Sequence, residues 1–175
     1  MAPRKPRTKT APQRPADLGG VLRELHLSRP GQVPERATLL VAFVNLPGDN
    51  TQRGEHWAVK KRWQDAARHD MHLCLAQQPH PGLLDEPMVY VEMHVAAVGD
   101  EWNRPGRAKF IIDRLQVRRE VEFVRDGKKG VRIFGDLDII RDDKALNKTN
   151  CVFEEVRVKP AERKVLVWVW DKEAA

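Results

Sequence analysis

Apolar positions come in short blocks along this chain, and most blocks carry the period of a strand. Thr38-Leu-Leu-Val-Ala-Phe-Val44 is a continuous β-rich run, the pattern of a buried strand. Between Met88 and Val98, the residues Val89, Val91, Met93 and Val95 alternate with Tyr90, Glu92 and His94, which predicts a second strand. Two more strands are predicted at Cys151–Val158 and Lys164–Trp170, with Pro160-Ala-Glu-Arg163 as a hairpin connection. In the last strand both alternating sets, Val165/Val167/Val169 and Leu166/Trp168/Trp170, are apolar. That strand has to be covered on both faces, by helices or by a second subunit.

Helical periodicity occupies two places. A helix is predicted from about His56 to Gln78, closed by Pro79 and Pro81, with Val59, Trp63, Ala66, Ala67, Leu73 and Cys74 on its apolar side. A short amphipathic piece, Val21 to Leu27, ends before Pro30 and Pro34. The stretch 110–124 fits two patterns: Ile111, Leu115, Arg118 and Glu122 continue a helical face, whereas Leu115, Val117, Val121 and Phe123 alternate as in a strand. Arg125-Asp-Gly-Lys128 then reads as a hairpin turn before Val131 and Ile133. The predicted class is α+β (mixed α/β), a single small domain in β-α-β-α-β-β order around a four-stranded sheet. Residues 1–37 are expected to be a basic, Pro-rich and largely disordered extension, and 38–175 the folded domain.

Charge sharpens that division. The 175 residues carry a net charge of +6, and within 1–20 five basic residues (Arg4, Lys5, Arg7, Lys9, Arg14) face Asp17 alone. A segment with four prolines and no apolar period cannot offset the entropy of ordering; it serves either to neutralise phosphates on a polyanion or simply to keep the chain in solution. The longest uncharged apolar run, Ala37 to Leu46, is about half the length that spans a bilayer. Neither a membrane span nor a secretory leader is expected, and the predicted location is the cytoplasm. The two cysteines, Cys74 and Cys151, suit reduced core positions rather than a disulfide framework.

Candidate chemistry is sparse. His69 and His72 could share a helix face with Asp65, but solvated histidines explain them without a metal. No Gly-x-Ser-x-Gly, Gly-x-Gly-x-x-Gly or phosphate-binding loop occurs. Gly135-Asp-Leu-Asp-Ile-Ile-Arg-Asp-Asp143 packs four carboxylates into eight residues, either as hard oxygen ligands for Mg²⁺ or as a polar loop before a strand. Around it lie Arg104, Arg107, Lys109, Arg114, Arg118, Arg119, Lys144 and Lys148, cations suited to holding phosphates.

In this order the elements resemble the RusA-type Holliday-junction resolvases. That family has a first strand leading into a Pro-x-x-Asn loop and a basic helix, matched here by Leu46-Pro-Gly-Asp-Asn50 and His56-Trp-Ala-Val-Lys-Lys-Arg-Trp63. Next come a strand, Asp-x-Asp-Asn-Leu opening a helix, an Asp-Asp pair and two closing strands. Ile140-Arg-Asp-Asp-Lys144 supplies the pair. The preferred register sets Ile111-Ile-Asp-Arg-Leu115 on the motif, with an inserted hairpin at 121–134; a rival register uses Asp136-Leu-Asp138.

The resemblance implies a Mg²⁺- or Mn²⁺-dependent endonuclease that acts on branched DNA as a homodimer in a bacterial or phage-infected cell. Its catalytic and metal-binding residues would be Asp113, Asp142 and Asp143, with Asp138 as a further ligand. Asn50, Lys60, Lys61, Arg62, Arg104, Arg107, Lys109, Arg114, Arg118, Lys144 and Lys148 would contact DNA. The loss of an acidic position to Ile111 leaves a second expectation, a non-catalytic DNA-binding relative that keeps the basic surface.

Overall fold

The computed structural model describes residues 13–46, 57–125, 127–141, 146 and 149–172. Its elements are α1 (Leu18–Leu27), β1 (Thr38–Ala42), α2 (Trp57–Leu75), β2 (Pro87–Val95), α3 (Arg104–Leu115), β3 (Arg119–Arg125), β4 (Lys128–Phe134), β5 (Cys151–Arg157) and β6 (Lys164–Asp171). Four strands form one mixed sheet in the order β1-β6-β2-β5, and β3 with β4 forms a separate two-stranded ribbon. The expected α+β class and four-stranded sheet are present, and a hairpin spans 119–134 where one was expected at 121–134.

The expected hairpin between the last two strands is not. β6 pairs antiparallel with both β1 and β2, whereas β5 lies parallel to β2 on its far side. The connection through the short 3₁₀ turn Pro160–Glu162 therefore crosses the end of β2, a step of two strand spacings or about 10 Å. Composition explains the exchange. β6 is buried from Val165 to Val169, while β5 carries Glu154, Glu155 and Arg157 and tolerates an edge.

The two faces of the sheet are covered differently. α3 lies over the face of Cys151, Phe153 and Glu155, where Arg107 reaches Glu155 and Arg104 reaches the Phe153 carbonyl. α1 lies on the opposite face, its His26 ring 5.5 Å from that of Trp168. Leu22, Val33 and Ala37 join the core, so the folded body starts near residue 17 instead of residue 38. The basic residues before position 13 lie outside the described residues.

The outer edge of β1 is closed by side chains of α2 and of the turn that follows it instead of by a strand. Gln78 Nε2 donates to the Leu39 carbonyl at 2.6 Å, the Val41 N–H meets Cys74 Sγ at 3.3 Å, and the Phe43 N–H donates to Asp70 Oδ2 at 2.8 Å. Three edge groups that would otherwise template aggregation are satisfied inside the fold. The sequence pattern missed this role: Met71 and Asp70 face inward on α2, and Leu73, assigned to the apolar side, is exposed.

Asp70 is 2% exposed, and Arg14 pairs with its Oδ1 at 2.7 Å. Burial raises its pKa above the ordinary carboxylate value, opposed by the Phe43 N–H and by Arg14. A carboxyl whose pKa is raised by folding contributes most stability when protonated, below about pH 3.8, and loses that contribution as pH rises through the folded value. Asp70→Ala, which orphans the Phe43 N–H, should therefore cost about 1–3 kcal/mol in denaturant unfolding at neutral pH. Asp70→Asn keeps an acceptor and should cost much less, with a flatter stability profile above pH 4. Equal losses for the two variants would show that the charge, and not the acceptor, is what the site needs.

Candidate functional site

The acidic stretch that stands out in the sequence divides into two parts. Its first half is tied into the fold. Asp136 accepts from Arg68 Nε and pairs with His72 Nε2, both at 2.7 Å, and its side chain is 5% exposed. Asp138, at φ 52°, accepts the Arg118 N–H at 2.8 Å. Between and beyond them Leu137, Ile139 and Ile140 are buried. The backbone N–H groups of Leu137, Ile139 and Ile140 donate to the carbonyls of Arg114 and Leu115, and that of Asp136 to Gln116, which closes the end of α3. Gly135 permits this approach: at φ 67° a Cβ there would stand 2.3 Å from the Val117 carbonyl oxygen. The rival register, with Asp136 and Asp138 as metal ligands, conflicts with these uses.

The second half, Asp142 and Asp143, lies outside the described residues, as do Lys144, Lys148 and Asn50 with most of its loop. Among the described residues no three of His, Cys, Asp or Glu gather closely enough to hold a metal ion.

Asp113 stands at the opposite end of its helix from the one that the resemblance implies. It sits in the last turn of α3, about 31% exposed, bonded to Lys109 at 3.2 Å and to Gln116 at 3.5 Å. Ile111, the partner position in the motif, is wholly buried. Ile111–Leu115 thus closes a helix, whereas the resemblance requires a motif that opens one. The residues that open α3 are Asp100-Glu-Trp-Asn103, as a single 3₁₀ turn running into Arg104 and Pro105. They keep the first Asp and the Asn of an Asp-x-Asp-Asn pattern and place Trp102 where its second Asp would stand. Pro105, at the first helical turn, was the legible signal for that start.

Asp100, Glu101 and Trp102 are exposed, Trp102 to 86%. Glu101 and Trp102 form one rim of a groove of about 690 Å³ that continues along Arg104, Lys109, Ile112 and the β5 edge at Cys151 and Phe153. Residues 150 and 158 bond to β2, so the alternation of a parallel ladder turns the N–H and C=O of Cys151, Phe153 and Glu155 outward, toward this side. Arg104 Nη1 takes the Phe153 carbonyl at 3.5 Å, and its Nε is buried without an acceptor among the described residues. Set against family models, curated proteins and solved structures, the chain matches none.

The expected DNA contacts fare unequally. Arg107 is 7% exposed and locked to Glu155 at 2.5 Å, on the same face as Ala108, Ile111 and Leu115, so it belongs to the core and not to a phosphate surface. Arg114 is half-buried. Lys61 and Arg62 are exposed and Lys60 half-buried on α2, with Lys61 paired to Asp65 at 3.0 Å. Lys109 and Arg118 are exposed beside Asp113 and Glu120. Burial pushes the Cys74 thiol up to about 11 and that of Cys151 up to about 12, so neither is a thiolate nucleophile at neutral pH.

Asp136→Ala separates a structural from a chemical role. It should lower unfolding stability by about 1–2 kcal/mol, since Arg68 and His72 are half-exposed and recover water. A variant of unchanged stability that has lost a metal-dependent activity would return the site to Asp136 and Asp138.

Proposed function

We propose that this chain is a divalent-metal endonuclease of the RusA-type resolvase kind, acting on branched DNA as a homodimer, with its chemistry at the open end of α3. The observation that carries this reading is the acid-bearing turn Asp100–Asn103 at the mouth of a groove along which Arg104 and Lys109 stand. The succession strand, helix, strand, helix, ribbon, strand, strand supports it, as the resemblance asks for that order with one inserted hairpin.

Asp100 offers exposed carboxylate oxygens, the donor type that Mg²⁺ or Mn²⁺ takes, and Asp142 and Asp143 would complete the set. A bound Mg²⁺ would polarise the scissile phosphodiester and lower the pKa of an attacking water. Arg104 and Lys109 would hold the flanking phosphates, and Lys60, Lys61 and Arg62 would extend the contact along α2.

A second reading has its own observation. Trp102 replaces a carboxylate in the motif, and an exposed indole is a stacking platform, not a metal ligand. This favours a non-catalytic binder of branched DNA. The two readings part on one assay, cleavage of a synthetic four-way junction in Mg²⁺. The wild-type chain should cut it, while Asp100→Asn and Asp143→Asn should bind it undiminished and fail to cut, because a carboxamide nearly keeps the size and loses the charge. Junction binding without cleavage by the wild type, in either Mg²⁺ or Mn²⁺, would establish the second reading.

A further inference from the structure

The β3–β4 ribbon takes no part in the site described above, and its two faces differ sharply in charge. The register pairs Arg119 with Phe134, Val121 with Arg132, Phe123 with Gly130, and Arg125 with Lys128. These eight positions share one face by the two-residue period of a strand. Among the described side chains that face carries Arg119, Lys128 and Phe123 and no acid, and further positions that share it by register are Arg125, Arg132 and Phe134 in the sequence. The other face holds Glu120, Glu122, Val124, Lys129, Val131 and Ile133, with both acids of the ribbon's paired residues.

The ribbon makes its main contacts with itself. Val121 and Phe123 on the basic face are exposed to 43% and 40%, and Val124, Val131 and Ile133 on the other face to between 47% and 69%. A free two-stranded hairpin is marginal in water, and apolar side chains left exposed together mark a surface that meets a partner. Its base is fixed: the Asp136 N–H bonds to the Gln116 carbonyl, and the left-handed Gly135 seats the exit of β4 against Val117. At mid-ribbon Phe123 lies across Gly130, where a Cβ would come within 2.7 Å of its ring. The aromatic ring thus spans both strands on the basic face.

We infer that the ribbon is a duplex-binding arm whose Arg119/Phe123/Lys128 face lies in the major groove of one DNA arm. A two-stranded ribbon fits a groove about 12 Å wide and is too broad for the minor groove, about 6 Å wide. Cations on that face meet phosphates on either side, and the Glu120/Glu122 face turns away from the polyanion. The inference rests on the nucleic-acid reading shared by both functions above, and it assigns the inserted segment a share of the binding that the groove at α3 does not supply.

The test uses the full chain in EDTA, so that cleavage plays no part. Affinity for a blunt duplex is measured against salt for the wild type, for a basic-face variant (Arg119→Gln, Arg125→Gln, Lys128→Gln, Arg132→Gln), for Phe123→Ala, and for Glu120→Gln with Glu122→Gln. The basic-face variant should bind about ten-fold or more weakly. Its slope of log affinity against log salt should be shallower by about 2–4, since each phosphate left unneutralised removes about 0.9 from the slope. Phe123→Ala should weaken binding with its slope unchanged, and the acidic-face variant should bind as well as the wild type or better. Wild-type affinity and slope in the basic-face variant would overturn the inference while leaving the nuclease reading intact. Loss of a dimer in sedimentation with DNA binding unchanged would also overturn it, by making the ribbon a protein contact. Failure of the wild-type chain to bind any DNA would overturn both.

Discussion

A strand that is apolar on both faces must be covered twice, and β6 imposes this on the whole molecule. Val165, Val167 and Val169 look to one side, Leu166 and Trp168 to the other, and all are at most 4% exposed. Burying such side chains contributes roughly 1.5–3 kcal/mol each, so no arrangement that leaves one face wet competes. β6 therefore sits between β1 and β2, α3 covers the face continuous with Cys151 and Phe153, and α1 covers Trp168. Recruitment of 18–37 into the core follows from that demand. On the α1 side coverage ends before β5, where Val152 and Val156 remain partly exposed; the groove lies on the other side, between α3 and the β5 edge.

Much of this was legible in short-range pattern. A continuous apolar run located β1 and strand-like pattern located β2, β5 and β6 to within a few residues, the double apolar set of β6 predicted cover on both sides, and Arg125-Asp-Gly-Lys128 marked the ribbon turn. Partners distant in sequence were not legible. α3 ends where it does because backbone donors from 136–140 satisfy its last carbonyls, which is why 110–124 read equally as helix and strand. The hairpin expected at 160–163 failed because proximity in sequence was weighed above the stronger claim of β2 on the side of β6. Arg107 looked like a surface charge because nothing local reveals that a Glu155 carboxylate awaits it.

Charge is thus allocated between fold and surface in a way that composition conceals. Asp70, Asp136 and Glu155 are buried or nearly so, and each has a cationic partner. They hold α2 to the β1 edge, α2 to the close of α3, and α3 to β5. The carboxylate exposed on described residues lining the groove is Glu101, with Trp102 and Arg104 beside it, and exposed Asp100 precedes it in the chain. Ile111–Leu115 closes α3, and the helix-start signal at Asn103 and Pro105 marks the end where the proposed reading sets the motif.

The central claim is that divalent metal is taken up at the opening of α3, and amide NMR of the full chain titrated with Mn²⁺ tests it most directly. Paramagnetic broadening falls off steeply with distance and requires neither DNA nor turnover. It should centre on Asp100–Asn103 and spare Asp113 and the Asp136–Asp138 segment, with Mg²⁺ competing it away. Broadening centred on Asp113 or on Asp136 and Asp138, or none at metal concentrations that support binding by carboxylate sites, would contradict the account.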